Sequence, residues 1–323
     1  MSATYTPTTT SSAIPGAQAG ALRPSFIGLV RGELFKMWKQ WTTRIMLGIV
    51  VLFTFAPYAL ILTDSSFKDN IVNSPVDSTY NILEIAMTIF RIFGGIALLV
   101  ITARAIGLEY QQGTIRILLA RGVGRVQLLS AKLTAVVAVA LAMIVGSAIL
   151  NGILLLFDYT VVYGQGSALS GLTSDFWSHI WAYAITVFIS MVATILLAAC
   201  VTVVGRSLSF GLTASMSWFP ADNFSVLVLF FVYRLTGSDF WLKIPAYFLG
   251  PILNQLPSAY VPNLIISMTR DGFTAKVPVP ANTVGLAPFV TYDATHAFVI
   301  IAIYCVAFAA IAYYLTWRRD VLE

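Results

Sequence analysis

Residues 133–157, Leu133-Thr-Ala-Val-Val-Ala-Val-Ala-Leu-Ala-Met-Ile-Val-Gly-Ser-Ala-Ile-Leu-Asn-Gly-Ile-Leu-Leu-Leu-Phe157, run without a single charged side chain. As a helix the stretch spans ~37 Å, enough to cross a hydrocarbon core of about 30 Å. Comparable low-charge runs fall at about 45–62, 85–103, 180–204, 210–233 and 297–317. The composition agrees, with 58% hydrophobic and 10% charged residues in a chain of 323, where a soluble domain carries about 25% charged. The reading is an all-α polytopic membrane protein with six spans in one transmembrane domain, 22–323. The net charge of +5 lies beside apolar runs and not on a polar face, so nucleic acid is not expected as a partner; the lipid bilayer is. Cys200 and Cys305 both sit inside apolar runs, as small core residues.

Two spans carry irregularities. The fifth run is expected to break at Pro220-Ala-Asp222, because proline lacks the backbone donor of the helix ladder. A further apolar stretch, 240–266, carries Pro245, Pro251, Pro257 and Pro262. It predicts short helices that dip part-way into the membrane or pack on its outer surface, within an outer segment 235–296.

Residues 1–21 lack the basic and apolar regions of a signal peptide and read as a disordered cytoplasmic tail, leaving the first span in place. Over 22–44, Phe26, Leu29, Val30, Leu34, Met37, Trp38 and Trp41 recur at steps of three and four, while Arg31, Lys36 and Lys39 lie largely opposite. This predicts an amphipathic helix in the membrane plane, its basic side on headgroups; an N-terminal extension of the first span is the alternative.

The cations give an orientation. With both termini inside, the cytoplasmic segments hold Arg23, Arg31, Lys36, Lys39, Arg44, Arg104, Arg116, Arg121, Arg125, Lys132, Arg206, Arg318 and Arg319, most of the 19 basic residues. A seventh span in 240–266 would reverse the last two.

The first cytoplasmic loop, 107–125, reads Gly107-Leu-Glu-Tyr-Gln-Gln-Gly-Thr-Ile-Arg-Ile-Leu-Leu-Ala-Arg-Gly-Val-Gly-Arg125. Glu109 sits where a helix leaves the bilayer, and Gly113 reads as a break with Thr114 as N-cap of a short helix. Ile115, Leu118 and Leu119 share a stripe, with Arg116 and Arg121 pointing elsewhere. Such a helix suits docking of a cytosolic protein; an ordinary basic loop held on anionic lipid is the other reading.

Glu109, Gly113–Thr114, Arg116, Leu118–Leu119, Arg125, Leu128–Leu129 and Lys132 resemble the loop of ABC-2 type transporter permeases. Leu249-Gly-Pro-Ile-Leu-Asn-Gln-Leu-Pro257 is similar to a segment of bacterial members, and Gly122-Val-Gly124 departs from the Pro-Val-Ser of the family's turn. The resemblance implies a permease subunit, expected to export its substrate, in a bacterial plasma membrane. It implies a separate cytosolic ATP-binding subunit, with ATP and Mg bound there and no cofactor in this chain, and a second permease copy or homologue. In keeping with that division, the sequence has no GxxxxGK[ST] phosphate loop. Glu109, Gly113, Thr114, Arg116, Arg121 and Arg125 would couple the ATPase to the spans mechanically.

Arg91 and Asp222 lie within spans two and five, where a charge is costly and faces protein or water. They either pair or line a polar path, or else Arg91 reaches the interface and Asp222 satisfies backbone freed by Pro220. His179 and His296 are isolated, so metal ligation is not expected, and no catalytic set stands out. An ion-coupled secondary transporter, an intramembrane enzyme and a non-transporting scaffold are the rival readings.

Overall fold

The computed structural model describes residues 25–61, 75–120, 122–162, 164, 173–259, 267–269, 272–274 and 293–318. The tail 1–21, Arg121, Arg319 and much of the outer segment lie outside them.

The chain is an all-α polytopic membrane protein, with six helices among the described residues long and apolar enough to cross a membrane. Helix α1 (Phe26–Lys39) ends at Gln40, whose extended backbone (ψ 123°) separates it from α2 (Trp41–Ile61). That break decides against a continuous extension of the first span. Helix α3 (Pro75–Gln111) leads through Gly113 to α4 (Thr114–Ala120), and α5 (Arg125–Phe157) returns. A π-helical turn follows at Asp158–Val162. Helices α6 (Ser174–Gly205) and α7 (Leu208–Thr236) are joined by the two residues Arg206 and Ser207. After α7 come α8 (Phe240–Lys243), a 3-10 turn (Ile244–Tyr247), α9 (Leu249–Gln255) and a second 3-10 turn (Leu256–Ala259). A hairpin pairs β1 (Ser267–Thr269) with β2 (Gly272–Thr274) in antiparallel register, Met268 opposite Phe273. Helix α10 (Ala294–Arg318) ends the described chain. The hairpin is an addition to the expected outer helices.

Helix α6 is the centre of the bundle. Two thirds (67%) of its most apolar window is buried, against 11% for α7. Its Ala193, Ala198 and Ala199 have no exposed surface, and side chains this small let neighbouring helices approach closely. At the end away from α1, buried hydroxyls find partners in pairs. Tyr58 donates to Asn151 Oδ1 (2.9 Å), Thr79 and Tyr159 share a hydrogen bond (2.7 Å), and the Tyr80 hydroxyl meets His179 Nδ1 (3.0 Å). Such pairing is what burial of polar groups requires.

The expected break in span five is absent: α7 runs unbroken through Pro220. The amide of Asn223 donates to the Phe219 carbonyl (2.8 Å) and the Ser225 hydroxyl to the Asp222 carbonyl (2.6 Å). Neither bond reaches the carbonyl of Met216, the one that Pro220 leaves without its backbone donor; membrane helices tolerate an interruption of this kind. In 240–259, Pro245 and Pro251 fall in the first turns of their short helices, where the missing N–H has no intrahelical partner to lose. Leu249, Ile252 and Leu256 are almost wholly buried, so this stretch packs into the bundle and not on its surface.

Candidate functional site

Helix α3 carries both places where charge is concentrated. At its C-terminal end, Gly113 adopts a positive φ of 65°, a conformation glycine enters without steric cost. The helix stops there and the chain turns into α4. Thr114 is thus the first residue of α4, and the break rests on Gly113 instead of on a threonine cap. Gly122 (φ 82°) makes the second turn, and Arg125 opens α5. On α4, Ile117 is 56% exposed; the side chain of Arg116, like Arg121 as a whole, lies outside the described residues.

Above this loop three helices meet in a quartet of charges. Lys132 of α5 is buried and donates to Glu33 Oε2 (2.9 Å), Glu109 Oε1 (2.7 Å) and the Ala105 carbonyl (2.8 Å). Lys36 of α1, half-exposed, donates to Glu33 Oε1 (2.6 Å) and Glu109 Oε1 (3.2 Å). Two acids and two lysines leave the group neutral. Burial works against the Glu33 carboxylate, but Lys132 and Lys36 outweigh it and hold its pKa below the usual value. Lys36 is raised: burial opposes its charge, and the bonds to Glu33 and then Glu109 favour it more. Oε2 of Glu109 is buried without a hydrogen-bond partner among the described residues.

The quartet corrects the sequence reading of α1. Lys36 was expected on headgroups, yet it reaches the bundle, and Glu33 and Met37 are the buried positions of the helix. The expected apolar face divides: Val30, Leu34 and Met37 pack on the core, whereas Trp38 and Trp41 are exposed. Glu33 was missed, although an acid one turn from Val30 and Met37 on the core-facing side is a visible signal.

Arg91 and Asp222, the second expected site, do not meet each other. They hold opposite ends of α9. Asp222 Oδ2 accepts from the Gly250 N–H (2.6 Å) at its start, while Arg91 donates to the Leu253 carbonyl (2.9 Å) and Asn254 Oδ1 (3.0 Å) at its end. Asn254 in turn donates to Asn223 Oδ1 (3.0 Å). The placement suits the helix dipole, anion at the N-terminus and cation at the C-terminus. Asp222 is the middle residue of α7, so α9 reaches about half-way along the spans.

Compared with protein-family models, curated proteins and solved structures, the chain matches none. Two further buried acids escaped the sequence reading, Glu84 of α3 and Asp158 of the π-helical turn. His179 and His296 hydrogen-bond to Tyr80 and to the Ala246 carbonyl, respectively.

Proposed function

We propose that this chain is the membrane-spanning subunit of an ATP-driven transporter of the ABC-2 type, moving its substrate with a separate ATP-binding subunit. The observation that carries the reading is the quartet Glu33–Lys36–Glu109–Lys132, which ties α1, the end of α3 and the start of α5 into one base beside α4. A protein seated on α1 and α4 would push on this base, and α3 would take the motion into the membrane. The exposed Ile117 offers that protein an apolar contact.

In this reading the α1 end faces the cytoplasm of a bacterial cell, with both termini there. A second permease copy or homologue completes the membrane unit, ATP and Mg belong to the partner, and transport is outward.

The test is a mild-detergent pull-down of the tagged chain from its native host, with mass spectrometry of what accompanies it. Ile117→Asp serves as the docking control because it leaves the buried quartet intact. A stoichiometric ATP-binding protein that is retained by wild type and lost with Ile117→Asp supports the proposal. A functional chain recovered without any ATPase overturns it in favour of a coupled transporter or a scaffold.

A further inference from the structure

A cavity of about 440 Å3 opens between α3, α6, α7 and α9. Its volume falls in the range of pockets that hold one drug-sized molecule. The mouth is lateral, between Ile92 of α3 (51% exposed) and Met216 of α7 (41% exposed), while the floor is formed by Tyr183, Ser190 and Thr194 of the buried helix α6. A molecule entering by this route comes from the membrane plane and not from water.

We propose that the cavity binds a single-chain amphiphile with an anionic head, the head on Arg91 and the apolar body along Ile96 and Leu99. A guanidinium has five N–H donors. Arg91 uses two of its nitrogens, one bond each, on Leu253 and Asn254 among the described residues, and its side chain is one of those that line the cavity. A cation this deep in an apolar span is costly without a counter-charge, and Asp222 is engaged at the other end of α9. A carboxylate offers the paired acceptors that a guanidinium fork matches. Glu84 also lines the cavity, two turns toward the far end, and interacts with the protein around it; a polar acid at that end leaves the apolar body the other direction, toward Leu99. The volume suits one chain or a compact ring system, not a two-chain phospholipid.

The inference names a ligand class for the proposed permease and rests on that reading only in passing from binding to transport. It is therefore tested by binding alone, and its failure is a separate result from failure to find an ATPase. The full chain, in nanodiscs of neutral phosphatidylcholine, is titrated with a dansyl-labelled undecanoic acid and with the corresponding alcohol. Saturable binding is expected, with the acid favoured by about ten-fold or more, as a charge-assisted pair adds at least ~1.4 kcal/mol. Arg91→Gln should remove that preference. Gly95→Leu should abolish binding of both probes, because Gly95 lines the cavity and a Cβ built on it meets nothing within 4 Å. Should Arg91→Gln fail to fold in a melting control, the wild-type preference for the acid and the loss of binding in Gly95→Leu still decide. Equal binding of acid and alcohol, or saturable binding that survives Gly95→Leu, overturns the proposal. Competition by phosphatidylglycerol at equal concentration would assign the site to a two-chain lipid and overturn the single-chain assignment.

Discussion

Lys132 donates all three of its ammonium hydrogens to acceptors within the bundle, two of them carboxylates. Removing that charge leaves Glu33 and Glu109 facing each other with only the half-exposed Lys36 between them. Breaking a buried ion pair from one side costs about 3–5 kcal/mol, so Lys132→Met should lower the melting temperature in detergent strongly. The double variant Glu33→Gln with Lys132→Met should cost less than the sum of the singles, which a double-mutant cycle by thermal or chemical denaturation will read. The pH response has a definite sign. Because the pKa of Glu33 is lowered from 4.5, its stabilisation is complete above 4.5 and is lost as pH falls through the folded-state value. Lys36 is raised from 10.5, so its contribution is complete below 10.5 and is lost as pH rises through the higher folded value. Docking of α1 should therefore be flat between those limits and loosen first in acid. A spin label at Ile27→Cys, an exposed site on α1, should report unchanged mobility near neutrality and greater mobility below pH 4.5.

Helix α9 depends on contacts at both ends, since seven residues are too few for an isolated helix to persist. Arg91→Leu should free its C-terminal end and Asp222→Ala its N-terminal end. Hydrogen–deuterium exchange of 249–255 should speed up in both, while α6 stays protected. The break at Gly113 and the existence of helix α1 were legible because each is a local pattern, whereas which face of α1 is buried was not. The continuity of α7 was not legible either, because a proline in an apolar run can end a helix or be carried within it, and the packing of α7 against α3 and α6 is a non-local matter. Arg91 and Asp222 were visible as costly charges, but their use depended on α9, more than 25 residues further along the chain, folding back between them. The quartet was half legible: Glu109 and Lys132 stood out in the loop, whereas Glu33 depended on which face of α1 turns inward.

At the scale of the molecule, the six spans among the described residues alternate in direction, and hydropathy was sufficient to find them because each window is long and nearly free of charge. Their true lengths were less visible. Helix α3 extends from Pro75 to Gln111, well past the expected 85–103, because polar turns at both ends continue the helix beyond the apolar window. The alternation predicts that cysteines placed at Arg206 and Trp317 react with an impermeant maleimide from one side of sealed vesicles and one at Leu235 from the other. Cys200 is buried and Cys305 half-buried within α10, so the native background should be low. Where α3 and α7 close the bundle, a Cβ on Gly107 would stand 2.7 Å from the Leu208 Cα. Gly107→Ala should cost about 1–3 kcal/mol by overpacking, seen as a lower melting temperature, while Gly146→Ala, with open space around it, should be near neutral.

One rod, α3, holds Glu109 in the base and Arg91 at the cavity, 18 residues or ~27 Å apart along a single helix. Thermodynamic linkage makes any conversation between the two places symmetrical. If an occupant of the cavity favours one setting of this helix, it tightens the grip of whatever partner favours the same setting at the base, by some factor. That partner must then tighten the occupant's binding by the identical factor, so affinity measured at either end would report on events at the other.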